Sequence, residues 1–107
     1  MIRCIAAMLA LLSTAPVTPE SVEVRGRGTI GLAPYACTDT PRSTVVQRVC
    51  YDQGRSHLLV GVGGEYLEYC RLPSATFDAF LVAPSMGLFL RQRIASPTAQ
   101  FACDPAN

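Results

Sequence analysis

The dipeptide Gly63-Gly64 limits the fold of this chain more than any other sequence feature. It separates two apolar segments, HLLVGV and EYLEYC. Two glycines suit a two-residue β-turn because both central positions of the favoured turn need positive φ. A hairpin closed there pairs Val60 with Leu67, and it pairs Leu58 with Tyr69 on the same face. A shift of one residue would mix apolar and polar side chains on each face, so we predict this register.

The opposite face of the hairpin carries a mixed set of side chains. Tyr66 lies across from Gly61, where its ring covers the glycine. His57 and Glu68 share this face, and with Tyr66 they form a candidate contact patch, because exposed aromatic side chains often mark contact surfaces. A half-solvated sheet face has the same composition and is the alternative interpretation.

The segment before the hairpin predicts one further strand. TVVQRVCYD alternates, which places Val45, Val49 and Tyr51 on the apolar face. Arg48 and Cys50 fall on the opposite face. Tyr51 and Tyr69 both face the predicted core, where a tyrosine buries its ring and gives its hydroxyl a nearby partner.

Two helices are predicted after the hairpin. SATFDAFLVA has phenylalanines at the spacing of one helical face, with Ser74 as the N-cap. MGLFLRQRIA has an apolar stripe at Met86, Leu90 and Ile94, and Ser85 precedes it as the second cap. We therefore predict an α+β fold, a three-stranded antiparallel meander followed by two helices packed on one face.

The cysteines predict two disulfides. The chain has five cysteines, and removal of Cys4 with a signal peptide leaves four. An even set in a short exported chain indicates disulfide bonds. Cys50 and Cys70 lie on the outer strands of the meander, too far apart to bond across the middle strand. The lead-in and the tail must therefore supply their partners, and we predict the pairs Cys37–Cys50 and Cys70–Cys103. A zinc site is the alternative, but the chain has no Cys-x-x-Cys pair and one histidine, so we expect no metal and no cofactor.

The first residues, MIRCIAAMLALLSTAP, resemble a secretory signal peptide. A membrane anchor is the alternative, but it needs about 20 apolar residues. We predict a signal peptide within residues 1–20, a lead-in over 21–42, a domain over 43–103 and a tail over 104–107. The expected location is periplasmic or extracellular, without a stable membrane anchor.

Charge argues against a polyanionic partner. The chain has nine cationic residues, all arginine, and eight acidic ones. Removal of Arg3 with the signal peptide leaves eight of each. A neutral balance gives no strong attraction to nucleic acid or anionic membranes, so we do not expect nucleic acid binding.

Three segments carry a family resemblance: VCYD, LLVGVGGEYLEYCRLP and FDAFLVAPSMGLFLRQRI. Together they resemble the KTSC domain, a small module found at the C-terminus of some lysyl-tRNA synthetases and alone in bacterial proteins. The resemblance covers residues 45 to 101. The family has a Tyr-x-Tyr pair, whose second tyrosine corresponds to Tyr69 and whose first falls on Leu67. The residues that match its core pattern are Val49, Tyr51, Tyr69, Pro73, Phe77, Ser85, Gly87, Phe89, Ile94 and Phe101.

The resemblance implies no defined activity, and RNA binding is the guess that the synthetase connection suggests. The residues themselves predict no enzyme, because no nucleophile is placed beside a general base, and Ser85 suits helix capping better than catalysis. We expect an exported binding or interaction module with a protein partner in the envelope or outside the cell. RNA binding is the alternative.

We predict that the chain is exported and cut between Ala15 and Glu20, because the small residues Ser13, Thr14 and Ala15 suit signal peptidase. Mass spectrometry of the envelope and culture fractions should detect this shortened N-terminus. An intact Met1 on protein from the cytoplasm would contradict both export and the argument for disulfides.

Overall fold

The computed structural model describes residues 20–103 of the chain. Residues 1–19, which make up the predicted signal peptide apart from Glu20, and the tail over residues 104–107 lie outside the described residues. Within the described part, no helix is long and apolar enough to cross a membrane.

Six strands form one mixed sheet in the order β2-β1-β6-β5-β4-β3. Each strand pairs antiparallel with its neighbour, except that β1 lies parallel to β6. The strands are β1 (Ser21–Val24), β2 (Gly28–Gly31), β3 (Ala36–Asp39), β4 (Val46–Asp52), β5 (His57–Val62) and β6 (Glu65–Tyr69).

The predicted three-stranded fold is therefore wrong. Strands β4 to β6 form the predicted meander, but the lead-in over residues 21–42 supplies three more strands to the same sheet. A short sequence such as SVEV carries too few alternating positions to specify its partner strand. In the structure this segment pairs with β6, where Arg25 N donates to Tyr66 O at 2.9 Å.

The hairpin register is confirmed. Val60 pairs with Leu67 and Leu58 pairs with Tyr69. Gly63-Gly64 forms the turn with φ values of 60° and 86°, which side chains other than glycine rarely adopt.

A β-bulge corrects the prediction for the start of β4. The register shifts between Val46 and Arg48, so Val46 pairs with Val62 while Gln47 is the extra residue. Val46 is fully buried and Val45 is 41% exposed, the reverse of the alternation that the sequence predicts.

Two short helices follow the sheet. Helix α1 (Ser74–Val82) begins after Pro73, and no side chain caps it, so the predicted Ser74 cap is wrong. Helix α2 (Met86–Phe89) is capped as predicted, because Ser85 Oγ accepts a hydrogen bond from Leu88 N at 3.2 Å. A π-helical turn (Leu90–Ile94) continues it.

The main core lies between the sheet and these helices. Tyr51 stacks on Phe77 with ring centroids 4.4 Å apart, and its hydroxyl donates to Leu72 O at 2.6 Å. The predicted partnered role of Tyr51 is thus observed. The buried members of this cluster are Val46, Val49, Tyr51, Leu58, Val60, Leu72, Phe80, Met86, Leu90 and Ile94.

A second apolar cluster covers the other face of the sheet. It joins Leu59 and Cys50 of the central strands to residues that precede β3. The chain leaves β2 at one edge of the sheet and enters β3 at the other, so residues 32–35 cross this face. The buried members are Val24, Leu32, Tyr35, Cys50 and Leu59.

Both predicted disulfides are confirmed. Cys37 pairs with Cys50 across β3 and β4, with an Sγ–Sγ distance of 2.07 Å. Cys70 bonds to Cys103 at 2.02 Å and attaches the segment after the helices to the end of β6. These bonds are compatible with an oxidising compartment.

We expect Phe80→Ala to lower the free energy of unfolding by about 3–5 kcal/mol, because this ring is fully buried. Val82→Ala on the same helix is the matched control: Val82 is 78% exposed, so its loss should cost less than about 0.5 kcal/mol. Urea denaturation of the oxidised protein measures both. Equal losses in the two variants would contradict the packing described above.

Candidate functional site

The sheet face opposite the helices holds a hydrogen-bonded group of Tyr35, His57 and Glu68. His57 Nε2 lies 2.7 Å from Glu68 Oε2, and its Nδ1 contacts the hydroxyl of Tyr35. His57 and Glu68 occupy the same face of β5 and β6 because both alternate with core residues. Tyr35 reaches them from the crossing segment that precedes β3.

This group is mostly enclosed. The side chains of His57 and Glu68 are 12% and 10% exposed, and Tyr35 is 9% exposed. Two of the three predicted patch residues are therefore brought together but largely covered. The group orders the protein interior rather than presenting an open surface.

Arginines complete the hydrogen bonding of this group. Arg27 Nε donates to Glu68 Oε1 at 3.0 Å. Arg55 lies over the Tyr35 ring, 5.7 Å from its centroid, and Arg55 Nε donates to Asp52 Oδ2 at 2.6 Å. Among the described residues, no buried side-chain polar atom lacks a partner.

Burial and pairing shift the pKa values of several groups. Burial raises the pKa of Tyr35, and it also raises the pKa of Tyr69. The hydrogen bond from Arg55 holds the pKa of Asp52 below its usual value. All of these shifts favour the protonation states that these groups ordinarily have near neutral pH.

Tyr66, the third residue of the predicted patch, is half-buried. Its ring lies over Gly61, and a Cβ at Gly61 would be 3.3 Å from two atoms of that ring. The ring packs against the second apolar cluster. The predicted cover of the glycine is observed, and it leaves little of the ring for a contact.

The residues that match the family pattern occupy two kinds of position. Most contribute to the main core: Val49, Tyr51 and Ile94 are buried, and Tyr69, Phe77, Phe89 and Phe101 are partly buried. Gly87 is also buried but lies outside this cluster, against Val45. Pro73 and Ser85 are exposed and precede the two helices, so they are not core residues.

A different surface exposes apolar side chains. Within the part of the chain that the structure describes, the large hydrophobic residues that remain exposed are Val45, Val82 and Leu88. Val45 lies before β4, while the other two flank the junction between the helices. We name this junction, with segments 42–45 and 81–88, the apolar junction.

Contacts hold the two segments of the apolar junction together. Arg42 Nη2 donates to Leu81 O and to Ala83 O, both at 2.8 Å, on either side of Val82. Val45 packs on Gly87, where a Cβ would come within 3.0 Å of its side chain. A small surface cavity of about 190 Å³ lies between the two segments.

Sequence reasoning missed Tyr35 and the apolar junction. One signal for Tyr35 was present, because HLLVGV is apolar at consecutive positions, and such a strand is buried on both faces. It implies that some segment covers the second face, although it does not identify that segment. The junction had no comparable signal, since the exposure of Val45 results from the bulge.

A sequence profile of the KTSC domain matches residues 42–97, just over half of the chain. The match spans β4 to β6, both helices and the π-helical turn. No curated protein and no solved structure matches the chain.

We expect the free energy of unfolding to fall as the pH rises above about 10, the usual pKa of a tyrosine. Tyr35 and Tyr69 have raised pKa values in the folded protein, so the unfolded chain loses these protons first. Their contribution to the free energy of unfolding is complete below that pH. It is lost as the pH rises through the pKa values that the two tyrosines have in the folded protein. Urea denaturation at a series of alkaline pH values measures it.

The matched variants are Tyr35→Phe and Tyr69→Phe, each of which removes one ionising hydroxyl. Each should make unfolding less dependent on pH in the alkaline range than it is in the wild type. A free energy of unfolding that rises with pH there would contradict the assignment.

Proposed function

The chain belongs to the KTSC domain family, and from this premise we propose that it is an exported, non-catalytic binding module that contacts a protein partner in the envelope or outside the cell. The observation that carries the proposal is the apolar junction, whose two contacting segments carry the exposed large hydrophobic side chains of the described chain. Exposed apolar side chains that share one surface mark protein contact sites.

Export is supported by two features. The structure contains two disulfides. Disulfides persist in oxidising compartments and are rare in the cytosol. The apolar start of the sequence has the composition of a signal peptide.

A non-catalytic role is supported by the state of the polar residues. The imidazole of His57, the carboxylate of Glu68 and the hydroxyl of Tyr35 bond to one another and are largely enclosed. A reacting atom must come within hydrogen-bond reach of a general base. The enclosed group leaves little room for one.

RNA binding is the alternative function, and the arrangement of rings and cations argues against it. A single-strand binder offers aromatic platforms along a basic groove. Here Tyr51, Tyr66 and Tyr69 are buried or half-buried. Four arginines pair with carboxylates, namely Arg25, Arg27, Arg48 and Arg55. Two more, Arg42 and Arg71, donate hydrogen bonds to backbone carbonyls.

We expect Val82→Asp combined with Leu88→Asp to weaken partner binding at least tenfold, because charge in an apolar contact loses its hydration without gaining a partner. Partners are captured with mature wild-type protein from the envelope fraction, and the affinity of each captured protein is then measured with purified components.

The matched control is Gln53→Asp combined with Gln92→Asp, which adds the same charge at exposed positions outside the apolar junction. This variant should bind as the wild type does, and thermal unfolding should show that both variants are folded. Equal binding by wild type and both variants would overturn the role of the apolar junction. Filter binding of single-stranded RNA that Tyr66→Ala abolishes would favour the alternative.

A further inference from the structure

The Cys70–Cys103 disulfide lies directly against His57 and Glu68. One ligand atom from each of the four residues, two Sγ atoms, an imidazole nitrogen and a carboxylate oxygen, lie within 4.8 Å of one another. While the sulfurs are bonded to each other, neither is a thiolate, so neither is a strong metal ligand.

Strand geometry explains this convergence. Glu68 and Cys70 are two residues apart along β6 and its extension, so their side chains share one face. His57 lies on the neighbouring strand on that face, opposite the position of Cys70. Cys103 is brought there by the segment after the helices, where Phe101 O accepts a hydrogen bond from Cys70 N at 2.7 Å.

We propose that reduction of the Cys70–Cys103 disulfide creates a zinc site, in which Cys70, Cys103, His57 and Glu68 bind one Zn²⁺ ion. Zinc prefers four tetrahedral ligands, with bonds of about 2.3 Å to sulfur and about 2.0–2.1 Å to nitrogen or oxygen. Neighbouring ligand atoms of such a site are then about 3.3–3.8 Å apart. To reach these values, the two sulfurs must separate from 2.02 Å, Nε2 and Oε2 must separate from 2.7 Å, and atoms as far as 4.8 Å apart must approach.

The residues around the four ligands suit a metal site. A zinc-bound imidazole usually donates its second N–H to an oxygen, which fixes the ring. The His57 Nδ1 atom already contacts the Tyr35 hydroxyl, so Nε2 is the nitrogen directed at the site. Arg27 holds the other oxygen of Glu68.

Charge is also balanced in the proposed site. Two thiolates and one carboxylate carry three negative charges, zinc carries two positive charges, and the Arg27 guanidinium supplies the third. A buried site whose charges are compensated in this way avoids the cost of an unpaired charge.

The reaction requires a dithiol reductant. Two electrons from the dithiol break the Sγ–Sγ bond, the dithiol becomes a disulfide, and its two protons pass to the Cys70 and Cys103 sulfurs. Zinc then displaces these two protons as it binds the thiolates. In the oxidised protein Nε2 carries the proton that joins it to the Glu68 carboxylate. Zinc binding requires the tautomer with that proton on Nδ1, where it donates to Tyr35 Oη and leaves Nε2 free to bind the ion.

Zinc titration of the purified mature protein tests the proposal, with a chromophoric chelator as competitor and anaerobic dithiol reduction before the titration. The best background is Cys37→Ser combined with Cys50→Ser, which removes the other disulfide. We expect one zinc per reduced chain and none per oxidised chain. His57→Gln in this background should weaken binding at least tenfold, and Tyr35→Phe should weaken it by about 10- to 100-fold.

Zinc K-edge absorption of the reduced wild-type protein needs no substitution, so it decides the matter even if a variant does not fold. We expect two sulfur and two nitrogen or oxygen ligands. Four sulfur ligands, or none, would overturn the proposal. So would equal zinc affinity of the oxidised and reduced proteins, or an affinity that His57→Gln leaves unchanged.

Discussion

Burial of β5 on both faces is the constraint on which the rest of the structure depends. Leu58 and Val60 face the helices, while Leu59 faces the other side, and all three are fully buried. A strand of this kind needs apolar cover on both sides, because each apolar side chain left exposed loses about 1.5–3 kcal/mol of the free energy that its burial would contribute to folding. Helices α1 and α2 cover one side, and residues 32–35 cover the other together with side chains of β1 and β2.

The second cover determines what the polar residues do. Tyr35 enters with the crossing segment and encloses His57 and Glu68, and Arg27 compensates the carboxylate. A polar group in an enclosed site must be hydrogen-bonded, and this one is. The sheet face that the sequence offers as a contact surface is therefore mostly interior, and the exposed apolar side chains lie at the apolar junction instead.

The disulfides attach segments outside the family match to the matched domain. Cys37 precedes residues 42–97 and Cys103 follows them, while their partners Cys50 and Cys70 lie within. In the chain-entropy account, closing loops of this size contributes roughly 3 to 4 kcal/mol each. Cys37–Cys50 joins the edge strand β3 to β4, whereas Cys70–Cys103 lies beside His57 and Glu68. The two bonds thus differ in their surroundings, and only the second is placed where its reduction exposes metal ligands next to other donors.

The sequence by itself determined the features that depend on near neighbours. The Gly63-Gly64 turn sets the register of the hairpin, because alternation allows only one pairing that keeps its apolar residues together. That register also excludes a Cys50–Cys70 bond, since the middle strand separates the two cysteines. Only the tertiary structure decided the parallel pairing of β1 with β6, the bulge that buries Val46, and the path of residues 32–35 across the sheet. These features depend on contacts between segments far apart in the chain. A short strand with few alternating positions can pair with several other strands at similar energy, and packing in the folded protein selects one of these pairings.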